Sequence, residues 1–179
     1  MKTLISIGTK ILTVVTLIVA IGFFLPGITR LERTANIAAP TQTVFEQIND
    51  LKNWKNWSPW FQLDPAMRIQ YSQPSSVGVG AYYTWASENK NLGKGKLTIL
   101  DAKPLENVHC NLDFDGMGAS FSDFKLIAKD SLNTQITWSF EKDHGLNPLS
   151  RWFGIFMNSA LGPDYDKGLV NIKAVCEKK

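Results

Sequence analysis

Residues 163–177 read PDYDKGLVNIKAVCE, and the fold turns on how that stretch is understood. Tyr165, Gly168, Leu169, Ile172, Val175 and Cys176 recur at the i, i+3, i+4, i+7 spacing of a single helical face. Asp164, Asp166, Lys167, Asn171, Lys173 and Glu177 take the opposite face. The acids stand at the start and Lys173, Lys178 and Lys179 towards the end, the polarity the helix dipole favours. Pro163 suits a first-turn position, where its missing N–H costs nothing. The spacing therefore predicts an amphipathic helix that needs a wide apolar surface to lie on.

The preceding segment, NPLSRWFGIFMNSAL (147–161), is also helical in period. Asn147 caps it and Pro148 takes the first position. Trp152, Phe153, Phe156, Met157 and Ala160 form its apolar stripe. Gly162-Pro163 is expected to separate it from the last helix. Before residue 143 the period is two. The segments MRIQYS, AYYTWAS, KGKLTILDA, NVHCNLDFD, FSDFKLIA and TQITWSF alternate between apolar and polar side chains. Turn signals at Asn89–Gly93, Lys103-Pro104 and Asp130–Asn133 separate some of them. TRLERTANIA (29–38) reads as a further strand, and Pro40 opens a short helix with Val44, Phe45 and Ile48 inward. WKNWSPWFQLDP (54–65) suits one or two helical turns presenting rings to one side. The order implies an α+β fold, a curved antiparallel sheet of about seven strands whose apolar face is covered by the C-terminal helix.

The N-terminal segment is of another kind. Residues 11–25, ILTVVTLIVAIGFFL, carry no charge, and the run reaches back to Leu4 with Lys10 inside it. Its 4–25 extent makes about 33 Å of helix, enough for a bilayer core of about 30 Å. The expectation is an uncleaved, single-pass membrane anchor over 4–25, with the domain at 29–177 placed outside the cytoplasm. A cleaved signal peptide ending near Ala20-Ile21-Gly22 is the alternative.

Composition limits the function. The 179 residues are 44% hydrophobic and 20% charged, which suits one globular domain. A net charge of only +3, with no basic cluster interleaved with aromatics, argues against a nucleic-acid partner. Two cysteines make neither a disulfide framework nor a four-ligand zinc site, and no metal or cofactor is expected. His109 alternates onto the solvent face of its strand, and His144 lies beside Asp143 in a loop with no nucleophile placed in sequence. No catalytic residue is therefore assigned. GVGA (78–81) and GKGK (93–96) lack the third glycine and the strand-then-helix context of a phosphate loop. Six tryptophans, all between 54 and 152, leave either a core or a pocket built on flat rings.

These elements resemble the START-like, helix-grip superfamily that includes the birch-pollen allergens, and within it the polyketide cyclase/dehydrase and lipid transport proteins. The resemblance is carried by IAAPTQTVFEQINDLKNWKNWSPW (37–60), DP (64–65), GVGAYYTW (78–85), GKGKLTI (93–99), TQITWSF (134–140) and YDKGLVNIK (165–173). It implies a cavity between sheet and last helix for a hydrophobic small molecule or lipid, and no shared catalytic set. The expected lining is Trp57, Trp60, Phe61, Tyr83, Trp85, Leu97, Leu112, Phe124, Trp138, Phe153, Phe156, Leu169 and Ile172. Binding without catalysis is the preferred reading. A cyclase-type enzyme using the same cavity, and an interaction module docking through the Trp54–Phe61 face, are the alternatives.

Overall fold

The computed structural model describes residues 2–115 and 118–178, with backbone only for 2–6. Seven antiparallel strands form one sheet in the order β1-β7-β6-β5-β4-β3-β2. They are β1 (Ile28–Ile37), β2 (Arg68–Tyr71), β3 (Tyr82–Ala86), β4 (Lys94–Lys103), β5 (Asn107–Phe114), β6 (Gly118–Ala128) and β7 (Thr134–Asp143). Strands β2 to β7 follow one another as a meander, and β1 returns to pair with β7 at the far edge. Helix α2 (Thr41–Asn49), a 3-10 turn (Leu51–Asn56) and α3 (Pro59–Leu63) fill the connection from β1 to β2. The register explains the period-two pattern. Leu97 opposes Leu112, Ile99 opposes Cys110, and Phe124 opposes Trp138, so the apolar members stand on one face. That face is buried at Leu97, Ile99, Val108, Cys110, Phe124, Ile136 and Trp138.

The C-terminal helix α4 (Pro148–Cys176) covers it. Leu169 and Ile172 are 4% and 1% exposed, and Tyr165 and Cys176 are buried with them. The helix is longer than its sequence signals imply. It runs from Pro148 to Cys176 without interruption, with Pro163 inside it, so the expected break at Gly162-Pro163 is corrected. Proline there cannot donate to the preceding turn. Arg33 of β1 bridges the weak point, donating to Asn158 Oδ1 (3.3 Å) on one side of Pro163 and pairing with Asp166 (3.0 Å) on the other. Gly162 makes room for it, since a Cβ there would come within 2.7 Å of the guanidinium. The buried positions Gly154, Tyr165, Gly168, Leu169, Ile172 and Cys176 keep helical spacing straight through the proline.

The expected membrane anchor is also corrected. Helix α1 spans Lys2–Gly22, but among the described residues no helix is long and apolar enough to cross a membrane. Lys10 interrupts the apolar run of that helix. The single-pass, extracytoplasmic placement inferred from the sequence falls with it. The end of α1 is instead fastened to α4. The Trp152 indole donates to the Ile18 carbonyl (2.9 Å), and Arg151 donates to the carbonyls of Phe23 (2.7 Å) and Leu25 (3.2 Å).

Candidate functional site: an aromatic cavity under the C-terminal helix

Between the sheet, α3 and α4 lies a cavity of about 110 Å³. Its floor is the inward face of the sheet: Tyr83 and Trp85 from β3, Leu97 from β4, Leu112 and Phe114 from β5, Ser122 from β6, and Trp138 and Phe140 from β7. Trp54, Trp60, Phe61 and Met67 close one side, and Leu161 and Tyr165 of α4 form the roof. Asn91 and Leu92, in the turn between β3 and β4, stand at the rim. That turn is tied to the end of α3, because Ser87 Oγ donates to Asp64 Oδ2 at 2.5 Å.

Close approach of helix and sheet positions the rings. A Cβ at Gly168 would lie 2.5 Å from the Trp138 ring, so only glycine lets α4 descend this far. Tyr165, nearly one turn earlier, then stacks on Trp138 with centroids 4.0 Å apart. Trp138 stacks in turn on Phe124 at 5.0 Å, and Trp60 meets it edge to face at 5.7 Å. Three of the four indoles in this wall are engaged internally. The indole N–H groups donate from Trp54 to the Ile48 carbonyl, from Trp85 to the Leu92 carbonyl, and from Trp138 to Ser122 Oγ. Ser122 donates onward to the Ser139 carbonyl at 3.1 Å. Burial raises the phenols of Tyr83 and Tyr165 well above the ordinary tyrosine range, and a hydrogen bond with Ser122 opposes the rise at Tyr165.

Of the residues expected to line the site, Trp60, Phe61, Tyr83, Trp85, Leu97, Leu112 and Trp138 converge on the cavity. Trp57 and Phe124 pack behind its wall as fully buried core, 5.9 Å apart. Leu169 and Ile172 bury themselves further along α4. Phe153 and Phe156 are placed elsewhere altogether, on the outer side of α4 and 73% and 63% exposed. Sequence reasoning missed Trp54, Met67, Phe114, Ser122, Phe140, Leu161 and Tyr165 as lining. Phe114 continues the alternation of Val108, Cys110 and Leu112, and Ser122 shares the parity of Phe124, so period two held both signals. Nothing in the sequence marks Asn91 and Leu92.

The two histidines lie outside the cavity lining. His109 Nδ1 contacts Asp123 Oδ1 at 2.6 Å and its ring stacks on Phe121. His144 is buried between β1 and α4, its Nε2 2.9 Å from Thr29 Oγ1 and its Nδ1 2.7 Å from Ser150 Oγ. Cys110 and Cys176 are both buried and unpaired with each other, and burial pushes the Cys176 thiol up to about 11. No cluster of His, Cys, Asp and Glu able to hold a metal occurs among the described residues.

A seven-stranded sheet wrapped on one long C-terminal helix, with an aromatic cavity between them, defines a helix-grip domain. The chain belongs to the polyketide cyclase/dehydrase and lipid transport family, whose pattern matches residues 29–177. Solved structures share the fold at low identity. An aromatase/cyclase from a Streptomyces species matches with TM-score 0.59 and 14% identity, covering 84% of this chain and 94% of that one. A truncated norcoclaurine synthase from Thalictrum flavum matches with TM-score 0.60 and 12% identity, covering 85% and 96%. A protein from Thermobifida fusca matches with TM-score 0.61 and 12% identity, covering 83% and 95%. A comparison with curated proteins finds no match.

Proposed function

We propose that this protein binds a hydrophobic small molecule or lipid group in the cavity under α4, without carrying out chemistry on it. The observation that carries the reading is the wall itself: aromatic and aliphatic side chains surround the space, and the indole N–H groups of Trp54, Trp85 and Trp138 are spent on protein acceptors. Transfer of apolar surface from water into such a space is favourable by roughly 25 cal/mol per Å². The Streptomyces aromatase/cyclase and the Thalictrum norcoclaurine synthase make the enzyme reading the rival. A cyclase-type reaction needs a general acid or base at the wall. The lining contains neither carboxylate nor imidazole, and burial keeps its phenols protonated, so they do not serve as bases at neutral pH.

Native mass spectrometry and solvent extraction of the purified protein test the proposal. Co-purifying apolar material, or an added apolar probe that quenches the tryptophan fluorescence, is the expected result. An empty protein whose fluorescence and melting temperature ignore every apolar probe would refute it.

A further inference from the structure

The size and wall chemistry of the cavity narrow the occupant. Ligand pockets run to roughly 300–1,000 Å³. The space under α4 is about 110 Å³, closer to the roughly 150 Å³ of an apolar cavity that takes up benzene. A polyketide-length chain or a whole diacyl lipid does not fit in it.

Building on the cavity as the binding site, we infer that its occupant is a compact, uncharged apolar group about the size of one aromatic ring. Three features agree. First, the walls meet edge to face: Trp60 against Trp138 at 84°, Phe61 against Tyr83 at 66°, and Trp85 against Phe114 at 79°. A planar ring inserted among them extends that pattern. Second, no Lys or Arg stands on the lining, so a carboxylate or phosphate would lose its hydration with no countercharge. Third, Ser122 already accepts from Trp138 and donates to Ser139. A hydroxyl or amide on the ligand would find this group occupied. A polar substituent finds an exposed partner at the rim, in Asn91.

The test uses the full chain with toluene, benzoate and dodecanoate as probes, followed by ligand-observed NMR and thermal shift, and repeats them on Leu161→Trp. Leu161 is half-buried in the roof, so the larger ring plugs the cavity from the helix side without entering the core. The expected result is toluene binding and a raised Tm, benzoate at least about tenfold weaker, and loss of toluene binding in Leu161→Trp. Dodecanoate or benzoate binding as tightly as toluene, and lost in Leu161→Trp, overturns the size and charge inference while leaving the cavity as the site. Absence of binding by all three, or binding that survives Leu161→Trp, overturns the inference and the cavity reading together.

Discussion

The two halves of α4 share one axis and meet the sheet in different ways. From Tyr165 onward the helix lies on the sheet by its apolar residues, and Tyr165, Leu169, Ile172 and Cys176 are buried. Asn171 donates to the Trp57 carbonyl and Lys173 to the Asn36 carbonyl, so even its polar flank is fastened. From Pro148 to Leu161 the inward line runs instead through Ser150, Gly154, Met157 and Leu161, while Leu149, Phe153, Ile155 and Phe156 face outward. In one half hydrophobicity and burial coincide, and in the other they part. The reason is space. Beside Tyr165 the sheet offers a flat ring to stack on. Beside Gly154 it offers His144 and Thr29 so near that a Cβ would come within 2.5 Å of the Thr29 hydroxyl.

The comparison breaks most decisively at the ring that joins sheet, cavity and helix. Replacing Trp138 by Ala removes the partner of Tyr165, Phe124 and Trp60. Truncations of this kind cost about 3–5 kcal/mol, to be read from the midpoint of urea unfolding. Gly168→Ala is the subtler attack on the same contact. It adds one methyl 2.5 Å from the Trp138 ring and is expected to cost about 1–3 kcal/mol through overpacking, despite alanine's better helix propensity. A neutral or stabilising result would mean that α4 does not sit this close to the sheet.

Much of this arrangement was legible in advance, and the limits have physical causes. Period two marked the strands because one face of the sheet is buried and the other is wet, and Leu97, Cys110 and Phe124 fell where alternation put them. The last helix was marked by its stripe because large residues line its inward face. The first half of α4 misleads for the opposite reason: its inward line begins with the small residues Ser150 and Gly154, while the large rings of Phe153 and Phe156 face outward. Reading Gly154, Met157, Leu161, Tyr165, Gly168, Ile172 and Cys176 as one series would have crossed Pro163 and given a single helix. Proline and glycine side by side ordinarily end a helix, and the residue that overrides them, Arg33, lies 130 positions away in β1. In the cavity, the rim residues of the β3–β4 turn depend on tertiary placement alone.

The junction between the halves carries the next effect. Arg33→Ala removes the bridge across Pro163 and leaves Asn158 and Asp166 to water. These are partly exposed contacts, so the expected loss is about 0.5–1 kcal/mol. Hydrogen exchange is the sharper readout, with protection falling in residues 158–166 and persisting from Leu169 onward. Uniform loss along the helix would show that the two halves are one cooperative unit.

Acid separates the halves by chemistry. Burial holds His144 below the ordinary imidazole range, Lys142 adds to the depression, Asp143 opposes it, and Arg151 adds again. The folded protein therefore binds fewer protons here than the unfolded chain, whose histidine titrates near 6.5. The resulting stability is present in full above that pH and is lost as pH falls through the lower folded pKa. His144→Gln should flatten the slope of Tm against pH below about 6.5. A wild-type profile with no slope there would contradict the burial of His144 against Thr29 and Ser150.

The smallest expected effect completes the contrast, and its smallness is what matters. Phe153 and Phe156 were expected under the helix, and a buried phenylalanine cut to a small polar residue costs several kcal/mol. On the outer side of α4, at 73% and 63% exposure, neither ring has a cavity to leave behind. Phe153→Ser and Phe156→Ser are therefore expected to shift the unfolding free energy by no more than about 0.5 kcal/mol each, mostly through helix propensity. Toluene binding should be unaltered in both, since neither residue reaches the lining. Leu169→Ala supplies the matched control from the other half, with a cost of about 2–5 kcal/mol. If the two serines prove as damaging as that alanine, α4 is rolled about its axis relative to the arrangement described, and Gly154 and Gly168 no longer face the sheet.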